Sequence, residues 1–175
     1  MNIINDESRT TDSHIYFWNG IYSQWHTTHN QFTENGIQYP NAEKYMMMEK
    51  AKVFGATDIY DKMKEVDSPR TIKALGREIK NFSDKVWDEH KMEVVARASF
   101  LKFSQNPDLL RQLIADKDKT LVEASPVDKV WGIGLHYDDD KVLNESDWNG
   151  QNLLGKCIMI ARNKILKKEE DTIDE

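Results

Sequence analysis

Apolar residues recur at helical spacing along "DKVWDEHKMEVVARASFLKFS", which predicts a long helix over 84–104 with Val86, Met92, Val95, Ala96, Phe100 and Phe103 available to a core. "YPNAEKYMMMEKAKVFG" predicts another, stopped upstream by Pro40 and capped by Asn41. "SPRTIKALGREI" opens a third, with Ser68 before Pro69, and "NPDLLRQLIA" a short fourth behind Asn106 and Pro107. "WNGQNLLGKCIMIARNKIL" predicts a closing helix that packs Leu153, Leu154, Cys157, Ile158 and Ile165 inward. The extended signals are short. Asn35-Gly36 in "QFTENGIQY" marks a hairpin, and "IYFWNGIYSQW" reads as short extended pieces around Asn19-Gly20. "TLVEAS" and "KVWGIGL" read as strands joined at Ser125-Pro126. The pattern is a mainly helical α+β fold in one domain over 14–166. A polar, mobile start (1–13) and a mobile charged tail, "KKEEDTIDE" (167–175), flank it.

One helix breaks its own pattern. With successive residues 100° apart, Met46, Met47, Lys50, Val53 and Phe54 gather around Glu43, while Lys44, Tyr45, Met48, Glu49 and Lys52 fall opposite. The apolar face thus carries an acid and a lysine. Seven residues span ~10 Å of helix axis, too far for a direct ion pair, so each charge needs its own partner or a shared ligand. An unpaired buried charge costs several kcal/mol. The first-turn position of Glu43 favours its ionised form, and burial of Lys50 among Met46, Met47 and Phe54 favours a neutral, nucleophilic amine. The bland alternative is that both groups snorkel or meet a structural partner.

Composition narrows the classes. A chain of 175 residues with 39% hydrophobic and 31% charged residues suits one globular domain. The single cysteine, Cys157, excludes an internal disulfide framework and suits a cytoplasmic setting. "MNIINDESRTTDSH" does not read as a signal peptide, and no run approaches the ~18 apolar residues of a membrane span. A net charge of −6 argues against an extensive duplex-binding surface.

Other stretches are dense in candidate chemistry. "LVEASPVDKVWGIGL" gathers Glu123, Asp128 and Trp131 around a proline turn, with Gly132 allowing a flat ring to approach; a core tryptophan beside a tight turn explains it equally well. Arg77 in "LGR" suits a phosphate or carboxylate, although a structural salt bridge is the commoner use. "WNGQNLLG" enters a helix whose free N–H groups suit an anion, against the simpler reading of a helix start. "HTTH" at 26–29 lacks a full zinc ligand set, "DDDK" lacks the calcium-loop pattern, and "GIG" lacks the rest of a dinucleotide fingerprint. No metal or cofactor is expected.

In order, "FWNGIYSQW", "GIQYPNAEKYMMMEKAKVFG", "SPRTIKALGREIKNF", "VWDEHKMEVV", "KFSQNPDLLRQLI", "LVEASPVDKVWGIGL" and "GQNLLGKCIMIAR" resemble the NADAR, or YbiA-like, family over roughly Tyr16 to Leu166. That family hydrolyses N-glycosidic bonds. One branch acts on phosphorylated ribosylaminopyrimidine intermediates of riboflavin biosynthesis, and another removes ADP-ribose from guanine in nucleic acid. The resemblance implies catalytic roles for Glu43, Lys50 and Glu123, and substrate-binding roles for Arg77, Trp87, Asp128, Trp131, Gly132 and Asn152. Lys44 departs from the His or Gln common at that place, and the helical wheel turns it away from the pocket.

The resemblance implies a ribose held between Glu43 and Lys50. In one route Lys50 attacks the anomeric carbon and forms a Schiff base; in the other Glu43 and Glu123 direct water onto an oxocarbenium-like ribose. Trp87 or Trp131 would stack the base and Arg77 would hold a phosphate. The expected partner is a nucleotide-type substrate: ADP-ribosylated guanine in DNA or RNA first, since no riboflavin-pathway domain accompanies this sequence, and ribosylaminouracil phosphate second. A non-catalytic ADP-ribose-binding module is a third reading, disfavoured because a binder has no use for an inward acid and lysine.

Overall fold

The computed structural model describes residues 1–173. It opens with strands β1 (Asn2–Ile4), β2 (Ser8–Thr11) and β3 (His14–Phe17), followed by the hairpin β4 (Phe32–Glu34) and β5 (Ile37–Tyr39). Helices α1 (Ala42–Val53), α2 (Thr57–Lys64), α3 (Pro69–Gly76), α4 (Asp84–Ser104) and α5 (Pro107–Ala115) come next. Strand β6 (Thr120–Glu123), two short 3₁₀ turns and helix α6 (Leu153–Ile173) complete it.

The sheet order is β1-β2-β3-β6, antiparallel except for the parallel β3–β6 pair, which sets Phe17 opposite Glu123. The parallel pairing requires a long crossover, and the helices from α1 to α5 supply it. The main core joins Ile15, Phe17 and Leu121 of the sheet to Met48, Val95, Leu113, Leu154 and Ile158 of the helices. A smaller cluster covers the other sheet face, where Tyr16 and Val122 meet Ile133, Leu135 and Val142. No helix among the described residues is long and apolar enough to cross a membrane.

The helix starts follow their capping residues. Asn41 accepts from the Lys44 N–H, Ser68 from Thr71 and Ser83 from Val86. The expected Asn35-Gly36 hairpin forms, with both residues at positive φ. Other expectations are corrected. Residues 1–13, expected as a mobile start, carry β1 and β2, which extend the sheet, and Asn5 closes their turn through the Glu7 and Ser8 N–H groups. Buried Arg9 ties β2 to the Tyr137 carbonyl and Asp140. The tail from 167 to 173 continues α6 as an exposed helix, as its Lys- and Glu-rich sequence permits, and its last two residues lie outside the described ones. Val86 is exposed rather than in the core.

"KVWGIGL" is not a strand. The carbonyls of Val130 and Trp131 instead accept from the Leu153 and Leu154 N–H groups, which caps α6. Those N–H groups are therefore used within the protein and do not form an anion site. Helix α2, which the apolar pattern did not single out, follows the positive-φ turn at Gly55.

Candidate active site

A cavity of about 510 Å³ opens between one face of α1, the start of α4 and the loop after β6. Glu43, Met46, Met47 and Lys50 line it from α1, Trp87 and Asp88 from α4, and Glu123, Asp128 and Trp131 from the third side. Of the nine residues named from the sequence, six meet here: Glu43, Lys50, Trp87, Glu123, Asp128 and Trp131.

Each is placed by a local feature. The Glu43 N–H donates to the Gln24 carbonyl at 3.0 Å, which ties the first turn of α1 to the Ser23–Trp25 loop. The residue is 4% exposed, and its carboxyl group, which lines the cavity, makes no hydrogen bond or ion pair among the described residues. Lys50 lies further along α1, half-buried, with its Nζ 4.4 Å from the Phe82 ring centre and 5.6 Å from that of Trp87. Its apolar surroundings thus include two rings from outside α1, which wheel geometry could not supply. Glu123 ends β6, and its N–H donates to Asn152 Oδ1 at 2.9 Å. Asp128 accepts from the N–H groups of Val130 and Trp131, fixing the turn that presents the tryptophan.

Burial dominates the electrostatics. It pushes the Glu43 carboxyl up to about 7, against the pull of Lys73 and Lys50. It pushes Glu123 further, to about 8, helped by the negative charges of Asp128 and Glu43. The expectation that the helix dipole keeps Glu43 ionised is therefore corrected: desolvation wins at this depth. Burial also lowers the Lys50 pKa, only partly opposed by Glu43 and Asp84. Near neutral pH the cavity holds two carboxyl groups able to carry protons and an amine displaced toward its neutral form. Two acids that burial raises toward neutral pH, beside an amine displaced toward its nucleophilic form, suit acid–base chemistry at an electrophilic carbon.

Three named residues lie elsewhere. Asn152, expected to bind substrate, is 2% exposed and spends its amide inside the protein, accepting from the Glu123 N–H and donating to the Leu121 carbonyl. It holds the end of β6 against the start of α6, so its connection with the site runs through Glu123. Gly132, expected to admit a ring, instead admits the protein's own backbone: a Cβ there would stand 2.9 Å from the Glu123 and Asp128 carbonyls. Arg77 is exposed and lines an adjoining groove with Met47, Lys50, Lys73 and Phe82.

The structure also adds cavity residues that the sequence reading passed over. Lys73 of α3 lines both the cavity and the groove, and Gln24 and Trp25 enter from the loop after β3. Lys73 sits in "SPRTIKALGR", one helical turn before Arg77, and that spacing was its available signal.

A family model described as the NADAR domain matches residues 10–166, and the chain belongs to that family. It is 41% identical over 163 residues to a protein named N-glycosidase R617 from Acanthamoeba polyphaga mimivirus, spanning 87% of this chain and 96% of that one. It is 32% identical over 152 residues to the maize protein named Riboflavin biosynthesis protein PYRR, chloroplastic, spanning 85% of this chain but only 21% of that one. The NMR structure of Escherichia coli YbiA superposes with a TM-score of 0.74 at 24% identity, over 91% of this chain and 89% of that one, and so supports the fold.

Proposed function

We propose that this protein is an N-glycosidase that hydrolyses the bond between a ribose and a nitrogenous base. The observation that carries the reading is the unpartnered Glu43 carboxyl facing one cavity with Glu123 and Lys50. The match to N-glycosidase R617 over nearly all of that relative supports the same activity.

In the route we favour, Lys50 Nζ attacks the anomeric carbon. The bond to the base breaks, the base leaves with a proton relayed by Glu123, and the ring oxygen takes the amine's other proton as the ring opens. Glu43, the other buried acid of the cavity, steers that second proton. The result is an imine between Lys50 and the sugar, and water then releases the sugar and regenerates the amine. Trp131, less buried than Trp87, is the one of the pair to stack on the departing base. A phosphate carried on the sugar would reach toward Lys73 and Arg77 in the adjoining groove.

As substrate we propose ADP-ribosylated guanine, whose base stays attached to a nucleic acid outside the protein. The second reading, a phosphorylated ribosylaminopyrimidine, is favoured by the match to PYRR. Incubation with each substrate, followed by mass analysis of the products, separates the two.

The covalent route has its own test. Borohydride added during turnover should leave the sugar mass on Lys50, located by peptide mapping. Lys50→Arg, which keeps the charge without a usable nucleophile, should neither trap nor turn over. Turnover by wild type without a trapped adduct favours direct attack by water with Glu43 and Glu123.

A further inference from the structure

Among the described residues, three buried side-chain polar atoms have no hydrogen-bond partner: Gln24 Oε1, Glu123 Oε2 and Arg162 Nε. Two of these belong to residues that line the cavity. Glu123 already has a role above; Gln24 has none. The residue is 7% exposed, and a carbonyl left unpaired at that depth is unfavourable unless a ligand supplies a donor.

The amide is held in one orientation. Gln24 Nε2 donates to Met46 Sδ at 3.5 Å, and a thioether accepts but cannot donate, so the amide nitrogen belongs there and the carbonyl oxygen takes the other position. The backbone is pinned from both sides. The Gln24 carbonyl accepts from the Glu43 N–H, and fully buried Lys102 donates to the carbonyls of Ile21 and Ser23 at 2.6 and 2.9 Å. A lysine spent on two loop carbonyls makes this a rigid acceptor beside the first turn of α1.

We propose that Gln24 is a specificity-determining residue whose side-chain carbonyl accepts a hydrogen bond from the ribose hydroxyl next to the anomeric carbon, so that the site selects ribose over 2-deoxyribose. The choice of ribose rests on the N-glycosidase reading; the acceptor and its rigidity do not. Gln24 is bonded to the same helical turn as Glu43, so the hydroxyl it meets is one close to the reacting carbon. A site that has buried an acceptor for a hydroxyl rejects the analogue lacking it, because the acceptor is then left unpaired.

The test is binding of ribose 5-phosphate and of 2-deoxyribose 5-phosphate to the full chain, measured by calorimetry. Wild type should prefer the ribose about 10- to 100-fold. Gln24→Met, unbranched and of similar length, should bind the two within about threefold of one another, and Gln24→Leu provides a second variant should the first unfold. An absent preference in wild type, or a preference unchanged in both variants, overturns the proposal. Turnover of the base-bearing substrates by wild type is assayed separately. Its absence would sink the N-glycosidase reading while leaving a Gln24-dependent sugar preference standing.

Discussion

Two consecutive residues of α1, Glu43 and Lys44, are 4% and 3% exposed, yet the protein treats them in opposite ways. Lys44 Nζ donates to Asp67 at 2.8 Å and to the Lys64 carbonyl at 3.1 Å, so its charge joins α1 to the end of α2 and the segment after it. Tyr45, on that same side, donates to Glu34, which also pairs with Arg97 of α4. Across the helix, the Glu43 carboxyl has no partner among the described residues, and Lys50 faces ring faces instead of an acid. Charge burial alone does not mark a functional residue. What distinguishes the cavity side is that the protein declines to satisfy its charges, leaving that to whatever enters.

The largest effects should fall on the unsatisfied side. Glu43→Gln and Lys50→Ala are each expected to lose at least ~100-fold in turnover while keeping the wild-type circular dichroism spectrum, the scale for a positioned acid, base or nucleophile. Lys44→Met should do the reverse, losing about 1–2 kcal/mol of stability to denaturant. Its turnover should stay within ~3-fold, under 1 kcal/mol of barrier. A Lys44→Met protein as inactive as Glu43→Gln would erase the distinction between the two sides.

The same distinction explains what could be read from the sequence. The helical wheel placed Glu43 and Lys50 on one face because periodicity within a helix is local. It did not reveal that Lys44, on the opposite face, is equally buried, since the covering segment around Lys64 and Asp67 arrives from elsewhere. The motif resemblance brought Glu123, Asp128, Trp131 and Trp87 to the same region, and they do line one cavity. It could not separate residues that face the cavity from those that hold the walls. Asn152 and Gly132 belong to the walls through hydrogen bonds and backbone approaches between loops distant in sequence. The strand expected at "KVWGIGL" failed for a related reason: its carbonyls are taken by the start of α6, a pairing invisible to alternation.

A second, smaller effect separates the sides by pH. Glu43 and Glu123 have folded-state pKa values of about 7 and about 8, raised from the ordinary carboxyl value of 4.5. Between those limits the folded chain binds more protons than the unfolded one, so stability falls as pH rises. Their contribution is complete below 4.5 and is lost as pH climbs through 7 and then 8. Glu123→Gln removes one titrating group without removing its volume. Measured against wild type by urea unfolding, its relative stability should gain at least ~1 kcal/mol between pH 5 and pH 7, below the ~1.4 kcal/mol per pH unit that one full proton allows. A difference independent of pH would mean that Glu123 is already ionised in the folded protein, and the acid role proposed for it would go with that result.

The smallest expected effect lies just outside the cavity, at Arg77. It shares a groove with Lys73 and Lys50 but does not border the central space, so it can meet only the part of a substrate that extends out of it. An exposed arginine on a phosphate contributes modestly, because water and salt screen the contact. Arg77→Ala should therefore raise KM about threefold to tenfold for a phosphorylated substrate and leave kcat nearly unchanged, the pattern of binding lost equally from ground and transition states. The KM effect should shrink as salt is raised from low to physiological strength. Lys73→Ala should differ in kind, because Lys73 borders the cavity itself and its positive charge lowers the proton affinity of both Glu43 and Glu123. Its removal should shift the pH profile of kcat upward, whereas Arg77→Ala should leave that profile in place. An upward shift in the Arg77→Ala profile would move the boundary of the catalytic region out to the groove.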